Sequence, residues 1–323
     1  MRFSRGTVCA VLFGCVACQP TGDTRGAASA VVAAADARAA VGSATGSLDI
    51  ASWNIEWFGD PGNGPSNESQ QEQNARDVIV SADAEIWGVA EIVDEAQWNR
   101  LKSDLPDYDG VLASARAVTG RGNAYSATEQ KVGILFKRSV ASVLRAKLIL
   151  QQHDRDFAGR PPLEVTLRVT MNGVSEELVC IVVHMKARQD AESWTRRAGA
   201  ARALKRYLDD TYPTQRVMVM GDWNDDVTRS ITIGKPSPYR DFVDDSSRYR
   251  FVTKALDERG VSSTVGNRSM VDHHLVTNEL AADEQPNSAR VLSSFTGIRD
   301  FRRSTSDHYP VVSRYTVNGD ARR

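Results

Sequence analysis

Beyond residue 18 the chain holds a single cysteine, Cys180; the other three, Cys9, Cys15 and Cys18, crowd into the first eighteen residues. That distribution excludes a disulfide framework and the CxxC pairs of a zinc site. An excess of charge of either sign is also missing, since 40 basic side chains stand against 41 acidic ones, a formal net charge of −1. This excludes a globally basic protein that coats nucleic acid, though not a local basic patch. The apolar run Val8–Ala17 stops at ten residues, about half of what a membrane-spanning helix needs. With 41% apolar and 25% charged residues, collagenous, disordered and heptad-repeat classes are excluded too.

What is present begins with order. Arg2 and Arg5 precede that apolar run, as in a secretory signal. Leu12–Cys15 (LFGC) and Cys15–Cys18 (CVAC) each resemble a bacterial lipobox, whose cysteine becomes the lipidated first residue; an ordinary cleaved signal is the other reading of residues 1–18. Both predict an exported protein, either an outer-membrane lipoprotein held to the membrane by its N-terminal lipid or a periplasmic or extracellular one. Loss of Arg2 and Arg5 would leave 38 basic against 41 acidic residues, a net charge of −3. Residues 19–46, rich in Ala and Gly, predict a flexible tether. Residues 47–318 read as one domain, with a short tail at 319–323.

Within that domain, apolar runs at 48–53, 86–90, 132–137, 163–171, 178–184, 216–220, 270–277 and 309–315 predict strands. Trp194, Ala198, Ala201, Leu204 and Leu208 fall on one face of a helix predicted at 191–209, with Arg196, Arg197, Arg202, Lys205 and Arg206 on the other. Strands mixed with helices indicate an α/β fold with two sheets, because so many strands do not suit one open sheet.

Apolar strands repeatedly end in polar residues. Trp53 leads into Asn54-Ile55-Glu56, Ala90 into Glu91, Val183 into His184-Met185-Lys186, Gly221 into Asp222-Trp223-Asn224, and Val271 into Asp272-His273-His274, while Ser306-Asp307-His308 precedes the last strand. Each alone reads equally well as a turn or cap. Their coincidence carries the weight: four of the five histidines lie in these segments. Asn54, Glu56, Glu91 and Asp307 form an oxygen-rich set suited to a hard cation, Mg2+ or Mn2+ with Ca2+ as a further option, rather than to zinc. Together with the histidines they supply the cation, base and acid that phosphate-ester hydrolysis requires.

The ordered series WNIE, strand-end Glu, HMK, GDWND, VDHH and SDHYPV resembles the endonuclease/exonuclease/phosphatase superfamily, the deoxyribonuclease I-like group, over about residues 48–316. The resemblance implies a four-layered α/β/β/α sandwich in which two mainly antiparallel sheets pack between helices, with the active site at one edge. It implies Glu91 as principal metal ligand with Asn54 beside it, Glu56 as a further ligand and Asp307 contributing. Asp222 would orient or deprotonate water, Asn224 would bind a phosphate oxygen, and His308, held by Asp272, would contact the scissile phosphate. His184 matches a second catalytic histidine, whose partner would be Glu129 in the segment Tyr125–Gln130. Val93 stands where the deoxyribonuclease has Arg, a departure at a minor-groove contact.

Seven basic and two acidic residues lie between Lys186 and Arg206, and Arg299, Arg302 and Arg303 lie just before Asp307. Lys186, these three arginines and Tyr125 are the expected substrate contacts, with a polyanion as partner. The combined expectation is a monomeric, exported, metal-dependent phosphodiesterase with no obligate protein partner, acting as a nuclease on DNA, with RNA as a further option. A sphingomyelinase-like enzyme or small-molecule phosphatase of the same superfamily is the alternative. An inositol phosphatase is disfavoured because Ser269-Met270-Val271 replaces its Trp-Cys-Asp-Arg signature.

Overall fold

The computed structural model describes residues 46–317 apart from Asn123. The predicted signal segment, nearly all of the tether, and the tail lie outside the described residues. In chain order the first half comprises β1 (Gly46–Phe58), α1 (Glu68–Ala82), β2 (Ile86–Ile92), α2 (Glu95–Ser103), β3 (Tyr108–Leu112), β4 (Lys131–Lys137), β5 (Ala141–Leu148) and β6 (Leu163–Met171). The second comprises β7 (Val174–His184), α3 (Ala191–Thr211), β8 (Val217–Asp222), α4 (Arg240–Asp244), β9 (Tyr249–Phe251), α5 (Lys254–Glu258), β10 (Asp272–Thr277), α6 (Asn278–Ala281), β11 (Arg290–Val291), α7 (Phe301–Ser304) and β12 (Val311–Val317). Among the described residues no helix is long and apolar enough to cross a membrane.

The strands form two six-stranded sheets, ordered β11-β12-β1-β2-β4-β3 and β5-β6-β7-β8-β10-β9. Their neighbouring strands run antiparallel except for one central pair in each, β1–β2 and β7–β8. Central strands covered on both faces should be apolar throughout rather than alternating, and β2 (IWGVAEI) and β8 (VMVMGD) are buried along their whole length. Ile50, Ile86, Ile134, Val165, Val182 and Met220 fill the space between the sheets. Gly88 lets them approach closely there, because a Cβ at that position would lie 2.9 Å from the Met220 side chain. Outside, α1 and α2 cover the first sheet through Val78, Ile79, Trp98 and Leu101, and α3 covers the second through Ala200, Leu204 and Leu208. The sequence expectation of a four-layered sandwich is met.

Asn67, Asp94 and Asp190 cap α1, α2 and α3, each carrying a side-chain oxygen that accepts an otherwise unpaired amide of the first turn. One residue of α3 departs from its expected place. Arg197, assigned by spacing to the basic outer face, is fully buried and pairs with the equally buried Asp225 at 2.9 Å. Its remaining donors reach the carbonyls of Lys186 and Arg188, both at 2.7 Å, and the Thr232 hydroxyl at 3.0 Å. One guanidinium thereby ties the loops that follow β7 and β8 to α3. Arg197→Met should lower stability by about 3–5 kcal/mol, because it leaves the Asp225 carboxylate buried without its counter-charge. Urea unfolding measures this; a loss below about 1 kcal/mol, the scale of an exposed pair, would show that the pair is not the tie described.

Candidate active site

The site lies where the two parallel pairs end. In β1–β2, Asn54 is in register with Ala90, next to Glu91; in β7–β8, His184 is in register with Asp222. Parallel neighbours deliver their carboxyl ends to the same edge, so each sheet brings two functional segments there. β10 contributes Asp272, in antiparallel register with Asp222, and the segment entering β12 contributes His308.

Gly221 makes the placement of Asp222 possible. Its φ of 130° suits glycine, and an added Cβ would come within 2.2 Å of the Val183 carbonyl. Asn54 bridges the sheets: Nδ2 donates to Glu91 Oε1 at 2.8 Å and to Asp222 Oδ2 at 3.1 Å, while Oδ1 accepts the Glu56 amide at 2.9 Å. Asn224 folds back so that Nδ2 donates to Asp222 Oδ2 at 2.8 Å and to the Met185 carbonyl at 3.2 Å. His308 Nδ1 donates to Asp272 Oδ2 at 2.7 Å, which also accepts from the Ser263 hydroxyl at 2.7 Å. This leaves His308 Nε2 facing the site, 4.0 Å from Asp222 Oδ2 and 3.8 Å from Asp307 Oδ1. His184 Nε2 lies 3.5 Å from Asp222 Oδ2 and 3.6 Å from Glu91 Oε1.

Burial dominates the electrostatics. It pushes Asp222 up to about 7, with the nearby Asp272 and Glu91 carboxylates adding to the rise and His308 opposing it. Glu91 rises as well, chiefly through burial against the hydrogen bond from Asn54. The histidines diverge. Burial, reinforced by Arg160, His308 and Lys186, drives His184 well below the usual imidazole range. Burial would do the same to His308, but Asp272 and Asp222 outweigh it and hold His308 well above that range. Burial thus favours the neutral form of His184, and the two aspartates favour the charged form of His308.

Two sets of ligating atoms each fall within 4.8 Å of one another: Glu91, His184 and Asp222, and Asp222, Asp272 and His308. Buried carboxylates that disfavour their own charge, with the Asp272 Oδ1 atom buried and without a hydrogen-bond partner, are a donor set that a hard divalent cation fits.

Seven predicted residues thus converge: Asn54, Glu91, His184, Asp222, Asn224, Asp272 and His308. Asp307 borders them, and Glu56 lies alongside with both carboxylate oxygens accepting from Arg302, at 2.6 and 2.8 Å. Lys186 stands at the rim, where its ammonium donates to the Ala187 carbonyl. Arg299 and Arg303 are exposed, with Arg303 3.7 Å from Asp300. Two expectations need correction. The Glu129 carboxylate accepts the Ser126 amide, closing a local turn, while His184 Nδ1 has no hydrogen-bond partner; the anticipated pairing of Glu129 with His184 is not formed. Tyr125 is buried rather than presented to substrate, and its hydroxyl donates to the Pro161 carbonyl at 2.9 Å.

Supporting residues escaped the sequence reading. Arg160 donates to Gln130 Oε1 at 2.6 Å and to the carbonyls of His184 and Met185, bracing the end of β7. On α1, Gln71 Nε2 donates to the carbonyls of Ile55, Glu56 and Thr305, and Asn74 Nδ2 donates to the Thr305 hydroxyl. The only available signal was a pair of polar residues at helical spacing, which looks like any solvated face.

The sequence pattern of the endonuclease/exonuclease/phosphatase family matches residues 51–308. No curated protein matches the chain in sequence. Among solved structures, TDP2 of D. rerio, humanized by 14 mutations, is similar with a TM-score of 0.60 at 15% identity, covering 84% of this chain and 99% of that one. D. rerio TDP2 complexed with a single strand DNA product gives 0.58 at 15%, with coverage of 84% and 99%. The human nocturnin catalytic domain with bound sulfate anion gives 0.56 at 15%, with coverage of 84% and 93%. At such identities these likenesses show a shared fold, while the family pattern, which runs from β1 to His308, shows the family: the chain belongs to the endonuclease/exonuclease/phosphatase family.

Proposed function

We propose that the protein is an exported, divalent-cation-dependent phosphodiesterase that hydrolyses nucleic acid, DNA foremost, by attack of water on phosphorus. The observation that carries the reading is the Asp272–His308 pair, which aims Nε2 into a pocket shared with Glu91, Asp222 and Asn224. Glu91, with Asn54 beside it and Asp307 at the border, would hold the cation. When bound, the ion supplies positive charge against the phosphate oxygens.

The chain's own groups divide the remaining work. Asp222, its Oδ2 fixed by amides from Asn54 and Asn224, takes the proton of the attacking water; as the new P–O bond forms, the ester P–O bond breaks and the leaving oxygen takes its proton from solvent. His308 donates to a phosphoryl oxygen as charge builds on it, and Asn224 does so with the N–H it otherwise gives to the Met185 carbonyl, keeping its bond to Asp222. His184, neutral and without Glu129 behind it, contributes a hydrogen bond from Nε2 rather than a proton from an imidazolium.

Support for a polyanionic substrate comes from the rim. Burial and the like charges of Arg196, Arg188 and Arg160, opposed by Asp190, hold the Lys186 ammonium below its ordinary value. A cleft of about 520 Å3 beside Gln189 is lined by Arg229, Lys235 and Arg268 as well as Asp226. The D. rerio TDP2 structure with a single strand DNA product makes nucleic acid the first substrate to test. One observation favours the lipid alternative: Ile233, in the same cleft, is 95% exposed.

Plasmid DNA, RNA, sphingomyelin vesicles and a phosphomonoester, each with Mg2+, Mn2+, Ca2+ or chelator, separate these readings. Expected is DNA cleavage that requires Mg2+ or Mn2+ and stops with chelator. If three rim cations contact phosphates, duplex affinity should fall with salt on a log–log slope of about −2.7. Lipid hydrolysis with no cleavage of nucleic acid by any metal would overturn the reading. Replacing His308 or Asp222 by Ala should cut turnover at least ~100-fold, the scale of one acid–base or electrostatic group. Asp272→Asn should lower kcat more than it alters KM, since its Oδ2 holds the His308 ring. Wild-type turnover in His308→Ala would remove the assignment.

A further inference from the structure

The approach to the site from the α7 side has an arrangement that family membership does not explain. Glu56 sits at an irregularity of β1 with a left-handed φ of 45°, is buried to 8% exposure, and shares its surroundings with the carboxylates of Glu91 and Asp307. Three acidic groups brought together without a counter-charge would repel, and such a set would invite a second divalent ion beside the one at Glu91. Arg302 already fills the role. Its Nη1 donates to both oxygens of Glu56, at 2.6 and 2.8 Å, and its Nη2 lies 3.9 Å from Asp307 Oδ2. Asp307 in turn stands 3.8 Å from His308 Nε2, so the guanidinium belongs to the edge of the reacting site.

Sequence position made Arg302 look like a substrate contact, yet the structure spends its strongest donor on Glu56. We infer that Arg302 is a built-in cation that occupies the Glu56–Asp307 side and limits the site to a single divalent ion held at Glu91. The guanidinium is suited to this: it stays charged at all working pH values and presents several donors in a fixed plane. The opening next to it, a cleft of about 540 Å3 lined by Glu56, Asn63, Gly64, Arg302 and Arg303, gives a second ion room to enter once the guanidinium is removed. Arg302 is half exposed, with 47% of its side chain accessible, so its replacement should leave the fold standing.

The inference rests on the proposed divalent-cation site, and metal counting distinguishes the two. Mn2+ binding to the whole protein, followed by electron paramagnetic resonance and calorimetry without substrate, should give one ion per wild-type chain. Arg302→Gln should admit a second Mn2+. The double variant Glu56→Gln, Arg302→Gln should return the count to one, because the second ion loses its carboxylate. Arg302→Lys should stay at one, since a charge remains in place. Thermal unfolding midpoints near the wild-type value confirm that each variant is folded. Two ions in the wild type, or one in Arg302→Gln, would overturn the inference while leaving the proposed function standing; no Mn2+ bound to the wild type at all would overturn both.

Discussion

Burying several carboxylates in one place is the constraint on which the rest of this structure depends. Glu91, Asp222 and Asp272 are each at most 9% exposed, and an unpaired buried charge is costly in free energy. The neighbourhood is arranged to offset that cost. Asn54 stands between Glu91 and Asp222, Ser263 and His308 both bond Asp272, and Asn224 returns to Asp222. The partners come from both sheets, so the sandwich cannot slide without breaking them. The two parallel pairs, one per sheet, bring these segments to a common edge, and the close contact of Gly88 with Met220 holds the pairs against each other.

A second ring of buried polar groups fixes the backbone that carries the first. Gln71 and Asn74 join the turn at Ile55–Glu56 to the segment at Ser304–Thr305, so the residues on either side of the site move together. Arg197 does the same for the loops after β7 and β8, and Arg160 for the end of β7. These groups touch no reacting atom, yet each determines where one that does is held.

How much of this was legible in the sequence follows from where the signal resides. The central strands declare themselves because burial on both faces demands continuous apolar residues, and the candidate site positions stand out as polar interruptions at their ends. Edge strands such as β3 (YDGVL) and β5 (ASVLRAKL) mix exposed and buried positions and carry too weak a pattern to be seen. Helix α1 was invisible because its buried face includes Gln71 and Asn74, which hydrogen-bond where apolar residues would normally pack. Arg197 was misplaced for the same reason: periodicity assigns a face by polarity, and a buried ion pair inverts it. Glu129 looked like a partner for His184 because the segment Tyr125–Gln130 resembles the one that carries that partner in the family, but its carboxylate is consumed within its own turn.

The backbone shows how tightly function and fold share the same atoms. Glu56, Trp57, Glu91 and Asn224 all have positive φ, between 45° and 64°, a conformation that non-glycine residues adopt at a cost and keep only when their surroundings enforce it. Here the enforcing groups are the site residues themselves. The Glu56 amide is held by Asn54 Oδ1, the Trp57 amide by Glu91 Oε2, and the Asn224 amide by Asp222 Oδ1. Glu91 and Asp222 therefore each use one carboxylate oxygen to hold strained backbone and turn the other to the site: Oε1 of Glu91 and Oδ2 of Asp222 face the site, while Oε2 and Oδ1 face the backbone. That division explains why the site needs carboxylates and carboxamides rather than single-acceptor groups at these positions. It also explains why the irregular end of β1 at Asn54–Trp57 is followed by a helix with polar residues on its buried side: backbone whose amides are bonded by the site must find its carbonyl partners elsewhere, and Gln71 provides them.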